Sequence, residues 1–304
     1  MVAPAVEPPV VIGLDVGGTK IRSGLVDREG NVLAVREVAS PGTSEEEVVG
    51  TIDSAVEELL SERVVAIGYG IPANIERGTG RVLWATNLPL TDVDLRSRSL
   101  ERFGLPVGIE NDASAAALAE WKLGAGRGRS HLLMLTLGTG VGGGIVVDGR
   151  LFRGWAEVGH FVVQEGGREC ACGGHGHLEV LASGSAADVA ARALYGDGAD
   201  AHTLVARARE GDGSARDALA RIGAILGAAI GSLVNVFAPE LVVVGGGFGA
   251  AAGPLVLDPA RESARRESIY PADELLEVVP AELGVEAGLI GAGLVGFEAL
   301  DGLR

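Results

Sequence analysis

Aromatic residues and cysteine are scarce in this chain of 304 residues. Aromatic residues make up 4% of the sequence although hydrophobic residues make up 47%, so a buried core must consist mainly of Val, Leu, Ala and Ile. The two cysteines, Cys170 and Cys172, are separated by one residue, which is too close for an unstrained bridge between them. Because there is no third cysteine, an intramolecular disulfide is excluded, and we expect a reducing compartment, the cytoplasm.

Basic residues are also few relative to acidic ones. The chain has 25 Lys and Arg against 41 Asp and Glu, which gives a formal net charge of −16. This charge argues against a nucleic-acid partner, because phosphate backbones bind basic surfaces. Small anionic substrates stay open, since backbone amides can hold phosphate on an acidic protein. The sequence has no apolar run near the length of a membrane span and begins without the features of a signal peptide, so we expect no membrane partner.

Glycine is abundant, with 48 residues, and its clusters indicate backbone brought close to a ligand at several places. In the first cluster, a predicted strand ends at Asp15, and a Gly17-Gly18-Thr19 turn leads into a second strand from Ile21 to Val26. Backbone amides in such a turn can hold phosphate, and Asp15 would then meet the accompanying metal ion. The spacing fits neither the P-loop nor the dinucleotide-binding motif, and a plain hairpin turn is the alternative.

A second hairpin of the same kind is predicted around Gly138-Thr139-Gly140, with its second strand from Gly144 to Val147. Two such hairpins predict two α/β lobes with a nucleotide held in the cleft between them. A third cluster, Gly245-Gly246-Gly247, follows a predicted buried strand. Without side chains, this segment could lie against a flat base or ribose, and a tight strand-to-helix turn is the alternative.

Polar residues end another predicted strand, LPVGIEND, directly before a predicted helix. Glu110, Asn111 and Asp112 therefore lie where open α/β sheets bind their ligands, at the carboxyl ends of strands. Asn and Asp are also favoured as helix caps, so a purely structural role for Asn111 and Asp112 is the alternative.

The segment Glu157–Glu179 holds both cysteines and three of the five histidines. Thiol and imidazole groups gathered in one glycine-rich loop are typical of a tetrahedral zinc site. A polar surface loop with two incidental thiols is the alternative. The candidate ligands are His160, Cys170, Cys172 and either His175 or His177.

Six motifs resemble, in the same order, those of the ROK family (repressors, open reading frames and kinases) of the sugar kinase, Hsp70 and actin superfamily. They are DVGGTK at 15–20, ENDASAAALAE at 110–120, LGTGVGGG at 137–144, EVGH at 157–160, CACGGHGHLE at 170–179 and VVVGGG at 242–247. The resemblance covers nearly the whole chain and is strongest to bacterial ATP-dependent glucokinases. It implies a two-lobed, actin-like α/β ATPase fold with the active site in the interlobe cleft. The small lobe would comprise residues 1–113 with 290–304, and the larger lobe, with the zinc loop, residues 114–289.

The resemblance also implies a role for each matching residue. Asp112 matches the catalytic base that takes the proton from the 6-hydroxyl of the sugar. Positions that bind the sugar match Asn111, Asp112, Glu157, His160 and Glu179, and Gly80, Arg81 and Asn87 are expected to line the same pocket. Positions that bind ATP and its Mg²⁺ match Asp15, Gly17, Gly18, Thr19, Lys20, Gly138, Thr139, Gly140, Gly245, Gly246 and Gly247.

One position departs from the family's zinc pattern, C-x-C-G-x-x-G-C-x-E. His177 stands in place of the third cysteine, while the rest of the frame from Cys170 to Glu179 is kept. Since histidine is also a good zinc ligand, the resemblance implies a structural Zn²⁺ held by His160, Cys170, Cys172 and His177, with His175 facing solvent.

The predicted function is that of an ATP-dependent glucokinase, forming glucose 6-phosphate and ADP in a homodimer or homotetramer. Alternatives are a ROK kinase for N-acetylmannosamine, N-acetylglucosamine, mannose or fructose, or polyphosphate as the donor. A sugar-responsive repressor is disfavoured, because about a dozen residues precede Asp15 where such members carry a helix-turn-helix domain. A sugar-binding protein without catalysis is disfavoured because Asp15, Asp112 and both glycine turns are retained.

Overall fold

The structure, a computed structural model, describes residues 7–85 and 87–302. The chain folds into two compact units. The first unit comprises Met1–Ala119 and Glu286–Arg304, and the second comprises Glu120–Val285. The domain limits expected from the sequence, 1–113 with 290–304 and 114–289, stay a prediction.

Strands and helices alternate along most of the described chain. The strands are β1 (Val10–Val16), β2 (Lys20–Val26), β3 (Val32–Ala39), β4 (Val64–Ile71), β5 (Ala73–Ile75), β6 (Val82–Ala85), β7 (Thr91–Val93), β8 (Val107–Asn111), β9 (Leu132–Leu137), β10 (Val141–Val147), β11 (Arg150–Leu151), β12 (Leu241–Gly245) and β13 (Val278–Pro280). The helices are α1 (Glu45–Glu57), α2 (Leu95–Phe103), α3 (Asp112–Leu123), α4 (Glu179–Ala182), α5 (Gly184–Tyr195), α6 (Ala201–Arg209), α7 (Gly213–Phe237), α8 (Gly247–Ala252), α9 (Pro254–Glu267), α10 (Ala272–Leu275) and α11 (Ala287–Leu300). Short 3₁₀ helices span Val158–His160 and Gly284–Glu286.

The first unit is built on a five-stranded sheet with the order β3-β2-β1-β4-β8. β2 is antiparallel to both of its neighbours, β1 and β3, whereas β4 is parallel to β1 and β8 is parallel to β4. β1 and β4 are buried along nearly their whole length, as expected for central strands covered on both faces. A smaller sheet of β5, β6 and β7 belongs to the same unit.

A row of four buried glycines crosses this sheet. Strand register pairs Gly24 with Gly13, Gly13 with Gly68, and Gly68 with Gly108. α11 lies over the row: a β-carbon on Gly13 would stand 2.7 Å from the Leu289 carbonyl oxygen, and one on Gly68 would overlap the helix backbone. Because the glycines of this row have no side chains, the backbone of α11 packs almost directly on the backbone of the sheet.

The second unit repeats this arrangement, with the sheet order β11-β10-β9-β12-β13. β9 and β10 form an antiparallel hairpin, and β12 and β13 run parallel to β9. The predicted hairpin that opens each half of the chain is therefore confirmed in both sheets. The predicted start of the second strand at Gly144 is wrong, because β10 begins at Val141 and its glycines pair fully with β9.

Helix α7 is the core helix of the second unit. In the described chain, it is the one helix long and apolar enough to cross a membrane, and 56% of its most apolar window is buried. Three glycines spaced by four residues, Gly223, Gly227 and Gly231, face α9, where β-carbons would meet the α9 backbone or the stem of Glu267. α7 thus packs closely on α9, which accounts for its apolar composition.

The glycine row generates a stability prediction. Gly68→Ala should lower the free energy of unfolding by about 3 kcal/mol, because the new methyl group would overlap the backbone of α11. Gly50→Ala is the matched control in the same unit: Gly50 is exposed in the middle of α1 with open space at its β-carbon, so the change should stabilise by about 0.5–1 kcal/mol. Urea unfolding followed by circular dichroism measures both, and equal midpoints would contradict the packing role.

Candidate functional site

Asn111 and Asp112 lie at a direct junction between β8 and α3, with no residue between strand and helix. The Asn111 Oδ1 atom accepts the Ser114 N–H at 3.1 Å, and the Asp112 Oδ1 atom accepts the Ala113 N–H at 2.8 Å. The helix-cap interpretation is therefore confirmed for Asn111. The cap uses its oxygen and leaves its amide nitrogen to other partners, so it does not exclude a binding role.

Glu110 supports this junction from within the sheet. Its side chain is 2% exposed, its Oε1 atom accepts the Asn111 N–H at 3.0 Å, and its Oε2 atom lies 3.4 Å from Nη1 of Arg77. The sequence patterns do not single out Arg77, since neither its spacing nor a motif connects it with β8. The fold nevertheless brings its basic side chain to Glu110, near the end of this strand.

The three residues expected to line a sugar pocket lie in different surroundings. The Arg81 guanidinium donates to the backbone oxygen and the carboxylate of Asp92, at 2.9 and 2.7 Å. Gly80 has φ of +74° and packs against the Arg96 side chain. Asn87 is exposed and lies against Gly18 of the first glycine turn, where a β-carbon would stand 2.9 Å from its Cβ atom.

The first glycine turn joins β1 and β2, and the Gly17 N–H donates to the Lys20 carbonyl oxygen at 2.9 Å. Asp15 pairs with Arg22 in the strand register, and Gly288 of α11 lies so close that a β-carbon there would be 2.7 Å from Asp15 Oδ2. Burial raises the pKa of Asp15; Arg22 and Lys20 act against this rise, whereas Glu286 adds to it. A partly buried carboxylate thus stands beside the turn.

The second glycine turn, Gly138–Gly140, joins β9 and β10. Its Gly138 N–H donates to the Gly140 carbonyl oxygen at 3.0 Å. The turn is held from outside by the start of α5, where the Gly184 N–H donates to the Gly138 carbonyl oxygen at 2.8 Å. Backbone bonds therefore fix the turn on both sides.

The triple glycine lies between β12 and α8. Gly245 ends the strand, Gly247 begins the helix, and Gly246 alone connects them with φ of +83°. A β-carbon on Gly246 would meet the backbone of Leu137, just before the second glycine turn. The cluster is thus a tight strand-to-helix turn, and its contact with a nucleoside stays a prediction.

The four expected metal ligands come together in the second unit. The ligand atoms of His160, Cys170, Cys172 and His177 all lie within 4.8 Å of one another. The Nδ1 atoms of His160 and His177 are 3.4 Å apart, Cys172 Sγ is 3.3 Å from Nδ1 of His177, and Cys170 Sγ is 3.9 Å from Nδ1 of His160. A tetrahedral zinc ion with ordinary bond lengths requires about 3.4 Å between nitrogens and about 3.6 Å between nitrogen and sulfur. The donor set therefore fits a tetrahedral ion of this size.

Glycines give the metal loop its shape. Gly173 and Gly176 have φ of +89° and +67°, and the Cys170 N–H donates to the Gly174 carbonyl oxygen at 2.8 Å. His175 is exposed and lies outside the ligand group, whereas His177 turns inward. The choice of His177 over His175 therefore agrees with the geometry.

Two carboxylates flank the metal ligands. Glu179 Oε1 lies 3.0 Å from Cys170 Sγ and 3.9 Å from Nδ1 of His160. Burial raises the pKa of Glu157, with His160 opposing and Glu179 adding to the rise. Burial and the hydrogen bond to Glu179 raise the pKa of the Cys170 thiol to about 12. A bound metal ion would displace this proton, since thiolate is the ligand form.

Comparison with known proteins shows the family of this chain. The model of the ROK family matches residues 11–296, which is nearly the whole chain and includes every candidate site residue named above. The chain belongs to the ROK family. The sequence resemblance is thereby confirmed, and the fold is that of the ROK sugar kinases, of the actin-like ATPase type.

Several ROK relatives are similar over their full length. A glucokinase of Streptomyces coelicolor is 37% identical, over 93% of this chain and 96% of the relative. A glucokinase of Thermotoga maritima is 34% identical, over 96% and 98%. The crystal structure of a ROK family glucokinase from Streptomyces griseus in complex with glucose and AMPPNP has a TM-score of 0.86 and 36% identity, covering 95% of this chain and 99% of that one.

The junction at Asn111 yields a prediction about the strength of its helix cap. Asn111→Ala should lower the free energy of unfolding by about 1 kcal/mol, because the Ser114 N–H loses its acceptor. Asn111→Ser keeps an oxygen at the cap and should stay within about 0.5 kcal/mol of the wild type. Urea unfolding of both variants measures the difference, and equal losses would show that the cap contributes nothing.

Proposed function

We propose that this ROK protein is a glucokinase that transfers the γ-phosphoryl group of ATP to the 6-hydroxyl of glucose, forming glucose 6-phosphate and ADP. The observation that carries the proposal is the full-length likeness to a ROK glucokinase whose structure contains glucose and AMPPNP. The residues of the chain are suited to this chemistry in the ways that follow.

The proposed catalytic base is Asp112. A sugar hydroxyl is a weak nucleophile, and a carboxylate within hydrogen-bond reach assists it by accepting its proton during the transfer. Asp112 lies at the first position of α3, and the hydrogen bond from the Ala113 N–H to its Oδ1 atom holds the carboxylate at the start of the helix. A carboxylate held in a fixed place is suited to the role of a base.

Carboxylates and an amide are proposed to bind the other hydroxyls of the sugar. Each hydroxyl can donate to one group and accept from another, so Asn111 supplies a donor while Glu157 and Glu179 supply acceptors. His160 presents its Nδ1 atom to the other metal ligands, and its Nε2 atom is proposed to bind a sugar hydroxyl. Glu110 and Arg77 are then supports of Asn111 and Asp112.

The two glycine turns are proposed to hold the phosphates of ATP through backbone amides, with the triple glycine against the adenosine. Asp15 would take part in holding Mg²⁺, which neutralises phosphate charge when bound. The residues assigned to ATP are Asp15, Gly17, Gly18, Thr19, Lys20, Gly138, Thr139, Gly140, Gly245, Gly246 and Gly247. We further propose that the protein works in the cytoplasm as a homodimer or homotetramer.

The cluster of His160, Cys170, Cys172 and His177 is proposed to hold a structural Zn²⁺. Two thiolates and two imidazoles, with separations near those of a zinc tetrahedron, fit this ion better than Mg²⁺ or Ca²⁺, which prefer oxygen ligands. All four positions are taken by protein, which is typical of a structural site. Its role would be to fix His160 and the segment that leads to Glu179.

The activity test follows ADP release with glucose, N-acetylglucosamine, N-acetylmannosamine, mannose and fructose, and with ATP or polyphosphate at fixed glucose. We expect the highest kcat/KM with glucose and ATP. Asp112→Asn should lower kcat at least about 100-fold, since it removes the base, while glucose affinity measured by calorimetry stays within a few-fold. Absence of turnover on glucose would refute the proposed substrate, and near-normal activity of the variant would remove Asp112 from the role of base.

The metal proposal predicts about one equivalent of zinc in the purified protein, measured by mass spectrometry of the metal. His177→Ala should lose most of this zinc, because one of the four ligands is removed. His175→Ala is the control, since this neighbouring histidine is exposed and outside the ligand group. Equal zinc loss in the two variants would contradict the assignment of ligands.

A further inference from the structure

A short segment of the second unit, Glu179–Ser185, packs along the second glycine turn. The Gly184 N–H donates to the Gly138 carbonyl oxygen at 2.8 Å, and the Ser185 N–H reaches the Thr139 carbonyl oxygen at 3.4 Å. At the other end of the segment, the Glu179 side chain lies against Gly140. Three successive turn residues thus contact one segment that begins with a carboxylate.

The contact between Gly140 and Glu179 depends on the missing side chain of the glycine. A β-carbon built on Gly140 would stand 2.5 Å from Glu179 Oε2, well inside van der Waals distance. The opposite oxygen of the same carboxylate, Oε1, lies 3.0 Å from Cys170 Sγ. The carboxylate is therefore confined between the turn and the metal ligands, and its position is set by both.

We propose that Gly140 is a positioning residue of the sugar site: its bare α-carbon lets the Glu179 carboxylate stand between the glycine turn and the metal loop, in the place from which it receives a sugar hydroxyl. The inference rests on the proposed function, in which Glu179 binds the sugar. It gives Gly140 a role besides its assignment to the phosphates. The turn that holds phosphate then also fixes a group that holds sugar.

A methyl group at position 140 should impair sugar binding while leaving the stability of the fold nearly unchanged. Gly140 does not have a positive φ, so alanine is compatible with its backbone. The obstructing atom is the end of a flexible side chain, which can move away at little cost to stability. The Glu179 carboxylate would have to shift by about 1 Å, however. Displacements of that size in a group that positions the substrate lower catalytic efficiency strongly.

Gly138→Ala is a matched control in the same turn. It adds the same methyl group, and nothing lies within 4 Å of the β-carbon position. Both glycines are assigned to the phosphates, so a general effect of a methyl group on the turn, including any rise in the KM for ATP, should occur in both variants. Only the Gly140 variant should act on Glu179.

The experiment measures kcat, the KM for glucose and the KM for ATP of the full chain carrying Gly140→Ala or Gly138→Ala. We expect a KM for glucose at least tenfold higher in Gly140→Ala than in Gly138→Ala, with similar KM for ATP and similar melting temperatures. Each change is also made in a Glu179→Ala background, where the obstructed oxygen is gone. There, Gly140→Ala should alter the KM for glucose less than twofold.

Different results refute different claims. No hexose turnover by the wild type refutes the kinase function, and with it the role of Glu179 on which the inference rests. Wild-type turnover on glucose with equal KM for glucose in the two glycine variants refutes the positioning role alone. The same is true if Gly140→Ala raises the KM for glucose equally with and without the Glu179 side chain, because the effect would then not pass through this carboxylate.

Discussion

Close approach of backbone to backbone across a strip of glycines is the constraint on which the first unit depends. Gly24, Gly13, Gly68 and Gly108 are neighbours across four strands, and α11 rests on them. This contact brings the start of α11 beside Asp15, where Gly288 leaves room for the carboxylate and Glu286 pairs with Arg22 at 2.7 Å. A side chain at one of these glycines would move α11 away from the sheet and so change the distance of Glu286 from Asp15. The charges that surround Asp15 therefore depend on how closely α11 packs on the sheet.

In the second unit, too, glycines allow close contacts between neighbouring segments. Gly246 rests on the backbone of Leu137, the Gly184 N–H bonds the Gly138 carbonyl oxygen, and Gly140 rests on the Glu179 carboxylate. Glu179 in turn contacts Cys170 of the metal loop. The triple glycine, the glycine turn, the carboxylate and the metal ligands thus form one continuous series of close contacts. The absence of a side chain at each glycine is what allows these close contacts.

The sequence is sufficient to predict the parts of this structure that depend on local pattern. Apolar strands interrupted by glycine turns identify both hairpins, because turn chemistry is a short-range property. The residues of the Cys/His loop alone leave His175 and His177 open as ligands, and the resemblance to the ROK zinc pattern favours His177, which the structure brings to the other ligands. The glycine row could not be predicted, since it depends on the register of strands far apart in sequence. For the same reason the contact of Arg77 with Glu110 could not be predicted. Arg81, which the family resemblance places at the sugar pocket, donates to Asp92, and its place in the pocket stays a prediction.

The net negative charge of the chain limits which groups can meet the negative charge of nucleotide phosphates. With a net charge of −16, the protein has few basic side chains to spare for phosphates. Near the first glycine turn, Lys20 lies 3.0 Å from Glu37, and Arg22 is engaged by Glu286 and Glu37. The second turn, Gly138–Gly140, contains no basic residue. In the proposed function, phosphate charge would then be met mainly by backbone amides of the two turns and by a divalent cation that Asp15 would help to hold. Amides and a cation would in that way take the part that lysine and arginine take in other phosphate-binding proteins.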